Sequence, residues 1–298
     1  MHIPAFLRPG DTIGLVCTAR KIERASLEPA IEAIKKRGFL VKIGASVGAS
    51  FHQFAGDDAY RRKDLQNMMD DKDVQAILVC RGGYGTIRII DDIYYGRFLQ
   101  KPKWIIGYSD VTALHSHLNQ VMGIATLHAT MPVNFKENTP EAIQSLFDGI
   151  EGRELKYGLP PHKLNRMGQA NGTLIGGNLS ILYSLLGTKT VLNTARKILF
   201  IEDLDEYLYH IDRMMVSLKR AGKLQNLAAL IVGGMTQMHD NEVPFGKTVE
   251  EIVLEHVAEY NYPVCFGFPS GHVLGNRAIR LGVNAHLEIT ENQVSFLQ

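Results

Sequence analysis

Five short apolar runs, several of them β-branched, recur through the first half of the chain: Thr12–Cys17, Leu40–Ala45, Ala76–Cys80, Trp104–Ser109 and Ala125–Ala129. Runs this short and this continuously apolar read as strands buried on both faces. Between them lie stretches of helical character, Ser26–Arg37, Asp57–Asp71, Thr86–Leu99 and Val111–Val121. Ser26 reads as an N-cap with Pro29 in the first turn, and Gly38 as the stop after three basic residues. Strands alternating with helices predict right-handed crossovers and a parallel sheet with helices on both faces. Residues 1–150 therefore read as one α/β domain.

After Ile150 the pattern lapses. Adjacent prolines, scattered charge and no clear period mark residues 151–168 as a linker. Residues 169–298 read as a smaller α+β domain rich in strands. Its predicted strands are 173–175, 197–201, 228–232, 264–266, 279–283, 286–289 and 293–296, the last three as antiparallel hairpins. Helices are predicted over 179–186, 209–219 and 249–259.

With 45% hydrophobic and 21% charged residues the chain can bury a core, and 32 Lys+Arg against 31 Asp+Glu leave a net charge of +1. Nothing in that balance recruits nucleic acid or an anionic membrane surface. The three cysteines are far apart and form no CxxC pair, which suits a reducing compartment. The start of the chain lacks the apolar core of a signal peptide, and no apolar run approaches the roughly 20 residues of a membrane span. The expectation is a cytoplasmic protein.

Ligands of open parallel sheets bind beyond the carboxyl ends of the strands, so the residues following each strand carry the chemistry. WIIGYS passes directly into DVTALH, which sets Ser109 at a sharp strand-to-helix turn with Gly107 two positions before it. Two readings compete. A nucleophile elbow would expose the hydroxyl, although Val111 stands where a second glycine would be. Alternatively, Ser109 or Asp110 caps the helix. The glycine-rich loop after Cys80, RGGYGT, matches neither a dinucleotide nor a Walker pattern. It suits an oxyanion hole beside Ser109, or simply a turn needing positive φ.

Further on, Glu202 ends an apolar strand and, if buried, needs a partner. Asp203, Asp205 and Glu206 follow it without the spacing of a calcium loop, and solvation is the expected role of at least two. His272 lies in a loop flanked by Gly271 and Gly275, placed and titrating as a general base would. His115 and His117 point to different helix faces, so no metal site is expected there or with His128. No cofactor is expected.

Taken in order, RPGDTIGLV, CRGGYGTIRIID, IIGYSDVTALH, LIGGNLSIL, FIEDLDEYLYHIDRM and PSGHVLGN resemble the LD-carboxypeptidase family of serine peptidases across nearly the whole chain. The resemblance implies Ser109 as nucleophile, His272 as general base and Glu202 as its orienting carboxylate. It implies an oxyanion hole from the backbone N–H groups of Gly83 and Asp110. It also implies a homodimer and a muropeptide substrate cut before a terminal D-alanine during cell-wall recycling. His210 stands where family members often carry arginine, which bears on substrate detail. Arg81 is a positional candidate for anchoring the terminal carboxylate. Two alternatives remain: a self-immunity peptidase of the microcin C type, needing an aromatic clamp that the strand-borne Trp104 does not suit, and a silent binding module using RGGYG as an anion nest.

Overall fold

A computed structural model describes all 298 residues. The strands are β1 (Thr12–Val16), β2 (Leu40–Ile43), β3 (Val74–Val79), β4 (Trp104–Gly107), β5 (Thr126–His128), β6 (Lys156–Leu159), β7 (Gly168–Asn178), β8 (Ile198–Leu204), β9 (Ala229–Thr236), β10 (Val264–Cys265), β11 (Ile279–Leu281), β12 (Asn284–Ile289) and β13 (Val294–Leu297). The α-helices are α1 (Glu28–Lys36), α2 (Asp58–Asp70), α3 (Gly96–Gln100), α4 (Thr112–His117), α5 (Pro140–Glu151), α6 (Leu179–Ser184), α7 (Leu208–Arg220) and α8 (Val249–His256). None is long and apolar enough to cross a membrane.

The first sheet runs β11-β5-β4-β3-β1-β2 and is parallel except at β11. Alternation divides its side chains between two cores. Ile13, Leu15, Leu78, Trp104 and Ile106 pack with α1 and α5, whereas Val16, Ile77, Val79 and Ile105 pack with α2, α3 and α4. Both faces are covered, as the continuous apolar runs predict.

The second sheet, β10-β9-β8-β7-β12-β13-β6, is parallel through β7 and antiparallel beyond it. Its α/β half packs under α6, α7 and α8, and on its opposite face Leu174, Phe200, Leu287 and Phe296 gather with Phe268 and Leu281.

Several local expectations give way. Residues 151–168, read as a linker, contain β6, which closes the edge of the second sheet against β13. Only β12 and β13 form the C-terminal hairpin; β11 pairs instead with β5 in the first sheet. Ser26 is not a cap but sits in a 3-10 turn, its hydroxyl donating to the Glu23 carbonyl. Thr86–Leu99 is not one helix but two 3-10 turns followed by α3.

Candidate active site

Ser109 follows β4 in the left-handed region, φ 62°, a conformation that a non-glycine residue adopts only under constraint from its surroundings. The constraint is visible. A side chain on Gly107 would lie 2.9 Å from Val111 Cγ2, so Val111 fills the space that Gly107 leaves and pulls the turn tight. The residue that breaks the expected glycine pattern is thus part of what bends the elbow. Capping is not the role of Ser109: no side-chain cap bond starts the 3-10 turn Ser109–Val111 or α4.

Facing Ser109 is the glycine loop. A Cβ on Gly82 would approach Ser109 Cβ at 3.0 Å and Oγ at 3.2 Å, so a side chain there would push against the serine. The N–H groups of Gly82 and Gly83 find no acceptor within the chain, whereas Thr86 N–H donates to Asp110 Oδ2 at 2.8 Å. Asp110 is buried, and burial raises its pKa above the ordinary carboxyl value against the opposing pull of Thr86. Its side chain ties the far end of the loop to the residue after Ser109. Arg61, fully buried, braces the loop from beneath by donating to the carbonyls of Thr18 and Gly85.

From the second sheet, Glu202 arrives near the end of β8, where the register with β9 slips between Ile201 and Asp203. Such bulges re-aim a side chain. Glu202 is wholly buried, and its Oε2 lies 2.6 Å from His272 Nδ1 and accepts the His272 backbone N–H at 3.1 Å. A carboxylate only accepts, so the Nδ1 proton is held there and Nε2 is left free to act as a base. Burial opposes charge on His272, but Glu202, and more weakly Asp203, outweigh it, and the net pKa direction is upward. Gly271, φ 103°, makes this possible: a Cβ there would fall 2.6 Å from Glu202 Oε2.

The two halves meet at Tyr108. Its ring packs on His272 with centroids 4.8 Å apart, and its hydroxyl donates to Asn134 Oδ1 at 3.0 Å. No hydrogen bond joins Ser109 to His272. A cavity of about 300 Å³ opens beside His272 and Tyr108, lined also by Asn134, Glu137, Asn138 and Leu204 among others.

Several structurally important residues had no assigned role in the sequence. Asp203, one of three acids of which at least two are expected from sequence to be solvated, is buried; it accepts from Asn178 Nδ2 and Ser180 N–H, both at 2.8 Å. Burial and the neighbouring Glu202 push its pKa up to about 7. Asp205 and Glu206 are the accessible pair, bonded to His239 and His210. The remaining histidines diverge. His115 Nε2 donates to the Gly107 carbonyl at 2.9 Å, His117 stacks on Tyr95, and His128 is enclosed by Tyr108 and Phe200. Burial pushes the His115 pKa down to about 4. Arg81 donates to the Lys21 carbonyl at 3.1 Å. Trp104 is buried with its indole N–H on the Ala5 carbonyl, so it presents no face for stacking a base.

A serine held at positive φ, with the adjacent Tyr108 packed on a carboxylate-bound imidazole from the second sheet, fits the class to which the chain's relatives assign it, a serine-type hydrolase. The chain belongs to the LD-carboxypeptidase family. It matches that family's N-terminal domain over residues 13–129 and its C-terminal domain over residues 171–287. A Bacillus subtilis relative, "Probable murein peptide carboxypeptidase", is 33% identical, covering 97% of this chain and 92% of its own. The murein tetrapeptide carboxypeptidase of Pseudomonas aeruginosa is 29% identical over 93% of this chain and 92% of its own. The fold is shared with the muramoyltetrapeptide carboxypeptidase of Oxalobacter formigenes, TM-score 0.88 at 23% identity, covering 96% and 98% of the two chains. It is shared equally with the microcin C7 self-immunity protein MccF, TM-score 0.89 at 21% identity over 99% and 98%. The chain is a peptide hydrolase of the serine carboxypeptidase type.

Proposed function

We propose that this enzyme hydrolyses the L,D amide bond before the terminal D-alanine of murein tetrapeptides, in the cytoplasm, during cell-wall recycling. The observation that carries the mechanism is the buried Glu202–His272 couple at 2.6 Å, set against a serine at φ 62°. Relatives named as murein peptide carboxypeptidases along nearly the full chain support the substrate class.

In this reading residues 1–150 supply the nucleophile and residues 169–298 the base. His272 Nε2 takes the Ser109 proton as Oγ attacks the scissile carbonyl, while Glu202 stabilises the imidazolium. The N–H groups of Gly83 and Asp110 receive the oxyanion, each such donor being worth about 3 kcal/mol in the transition state. His272 then protonates the departing D-alanine amine, and water, deprotonated by the same imidazole, releases the acyl-enzyme. Ser109 and His272 share no hydrogen bond, and in this reading substrate binding completes the contact, as catalytic hydrogen bonds often tighten only in the complex.

The test is mass spectrometry of the murein tetrapeptide and the D,D-terminated pentapeptide after incubation with the enzyme. Loss of the last D-alanine from the tetrapeptide alone is the expected result; no cleavage of either sinks the reading. The homodimer that the family resemblance implies is checked separately by sedimentation equilibrium.

A further inference from the structure

A carboxypeptidase must distinguish a free terminal carboxylate from an internal amide, and a buried or edge-held cation is the usual means. Four guanidinium groups surround the glycine loop. Arg61 and Arg88 both pair with Asp58, and Arg81 donates to the Lys21 carbonyl. Arg20, exposed, has neither an ion pair nor a side-chain hydrogen bond.

Its position is nonetheless fixed. The Arg20 backbone N–H donates to the Gly82 carbonyl at 3.4 Å. Its side-chain stem lies over Gly83, where a Cβ would be 2.6 Å from Cγ and Cδ and 3.0 Å from Nε. Gly82 faces Ser109 and Gly83 faces Arg20, and consecutive Cα atoms are only about 3.8 Å apart. The loop is thus a thin glycine wall with the hydroxyl packed on one residue and an uncommitted guanidinium on the next. In a peptide's last residue the carboxylate carbon is three bonds from the scissile carbonyl carbon, roughly 3–4 Å away by standard backbone dimensions. A carbonyl held at Ser109 would place that carboxylate beside the same glycine loop, where Arg20 is the guanidinium without a partner.

We propose that Arg20 binds the free α-carboxylate of the substrate's C-terminal residue and so restricts the enzyme to chain ends. The proposal rests on the carboxypeptidase reading above and names the group that enforces it. Arg81, the positional candidate from sequence, is turned to the Lys21 carbonyl instead.

The experiment compares the tetrapeptide with its C-terminal carboxamide in wild type, Arg20→Met and Arg20→Lys. Methionine keeps the apolar stem over Gly83 while removing the charge. Arg20→Met should lower kcat/KM for the free acid about 10- to 100-fold, the range of a charged hydrogen bond, mainly through KM. Its rate on the carboxamide should stay at the wild-type value, and Arg20→Lys should recover part of the loss. Equal losses on acid and amide would assign Arg20 to the oxyanion or the fold and overturn the proposal, as would an unchanged acid-to-amide ratio. Wild type that cuts neither peptide would overturn the carboxypeptidase reading itself, whereas wild type that cuts the acid isolates the question to Arg20.

Discussion

Thr112, three residues after Ser109, accepts the backbone N–H of Asn178 on its Oγ1 at 3.0 Å, and the side chain of Asn178 donates to Asp203, the neighbour of Glu202. One short relay therefore connects the helix behind the serine to the strand that presents the carboxylate. A side chain on Gly177 would strike Thr112 Oγ1 at 2.5 Å, so the two segments are in direct contact there.

Thr112→Val keeps the shape and removes the acceptor. Asn178 N–H is then buried without a partner, at a cost of about 1–3 kcal/mol. We expect a fall in Tm of several degrees and a drop in kcat larger than that in kcat for an equally destabilising core substitution such as Ile34→Val. Thermal melts and steady-state kinetics on the same preparations check this. A stability loss with unchanged kcat would dissociate the relay from the site.

Ser109→Ala, Glu202→Ala and His272→Ala should each reduce kcat by a factor on the order of 10³ or more, and the double variants should be little worse than the singles. Single-turnover assays with the tetrapeptide measure both. Losses that multiply would mean that the three do not act as one unit.

The pH profile should report His272. In the proposed mechanism its imidazole must be neutral to accept the serine proton, and its pKa is raised, so kcat/KM should climb with pH through a midpoint above the ordinary value of about 6.5. Asp203→Asn removes one of the charges that raise it and should move that midpoint to lower pH. Stability gives an independent readout. The Asp203 carboxyl, at about 7 in the fold against an ordinary 3.8, contributes stability that is full below about 3.8 and is lost as pH rises through about 7. The Asn variant should lose less stability than wild type between pH 4 and pH 8 in urea titrations. A midpoint moved upward would contradict the assignment.

Gly271→Ala places a methyl group against Glu202 Oε2 at a φ of 103°. We expect kcat to fall at least 100-fold while the far-UV circular dichroism spectrum is retained, because the clash is with the carboxylate that orients His272 and a wrongly oriented base costs at least that much. Retention of full activity would show that Glu202 can move without consequence.

The strands were legible because buried parallel strands are continuous apolar runs, and the ends of β4 and β8 accordingly pointed to Ser109 and Glu202. What escaped was polarity turned inward. Arg61 and Asp64 are buried on α2, where a periodic reading places charges outside; Arg61 serves the carbonyls of Thr18 and Gly85, and Asp64 the N–H groups of Ala45 and Ser46. Asp203 is the one of the three acids after Glu202 that turns inward. β6 escaped differently: as an edge strand it alternates only weakly, and its partner lies about 140 residues away, beyond any local pattern. Thr86–Leu99 breaks instead into two 3-10 turns before α3, although its spacing alone suggests one helix.

The pairing of β11 with β5 has a consequence for the chain as it is made. Synthesis runs from the amino end, so the first sheet spends most of its time on the ribosome with β5 as an uncovered edge, open to any other strand. Residues 279–281 cover that edge, and they emerge only after His272 has already been added. The sheet that carries Ser109 is therefore completed only after His272 has been added. A fragment ending near residue 150 would keep β5 as an open edge, the kind of surface at which sheets pair with other chains and aggregate.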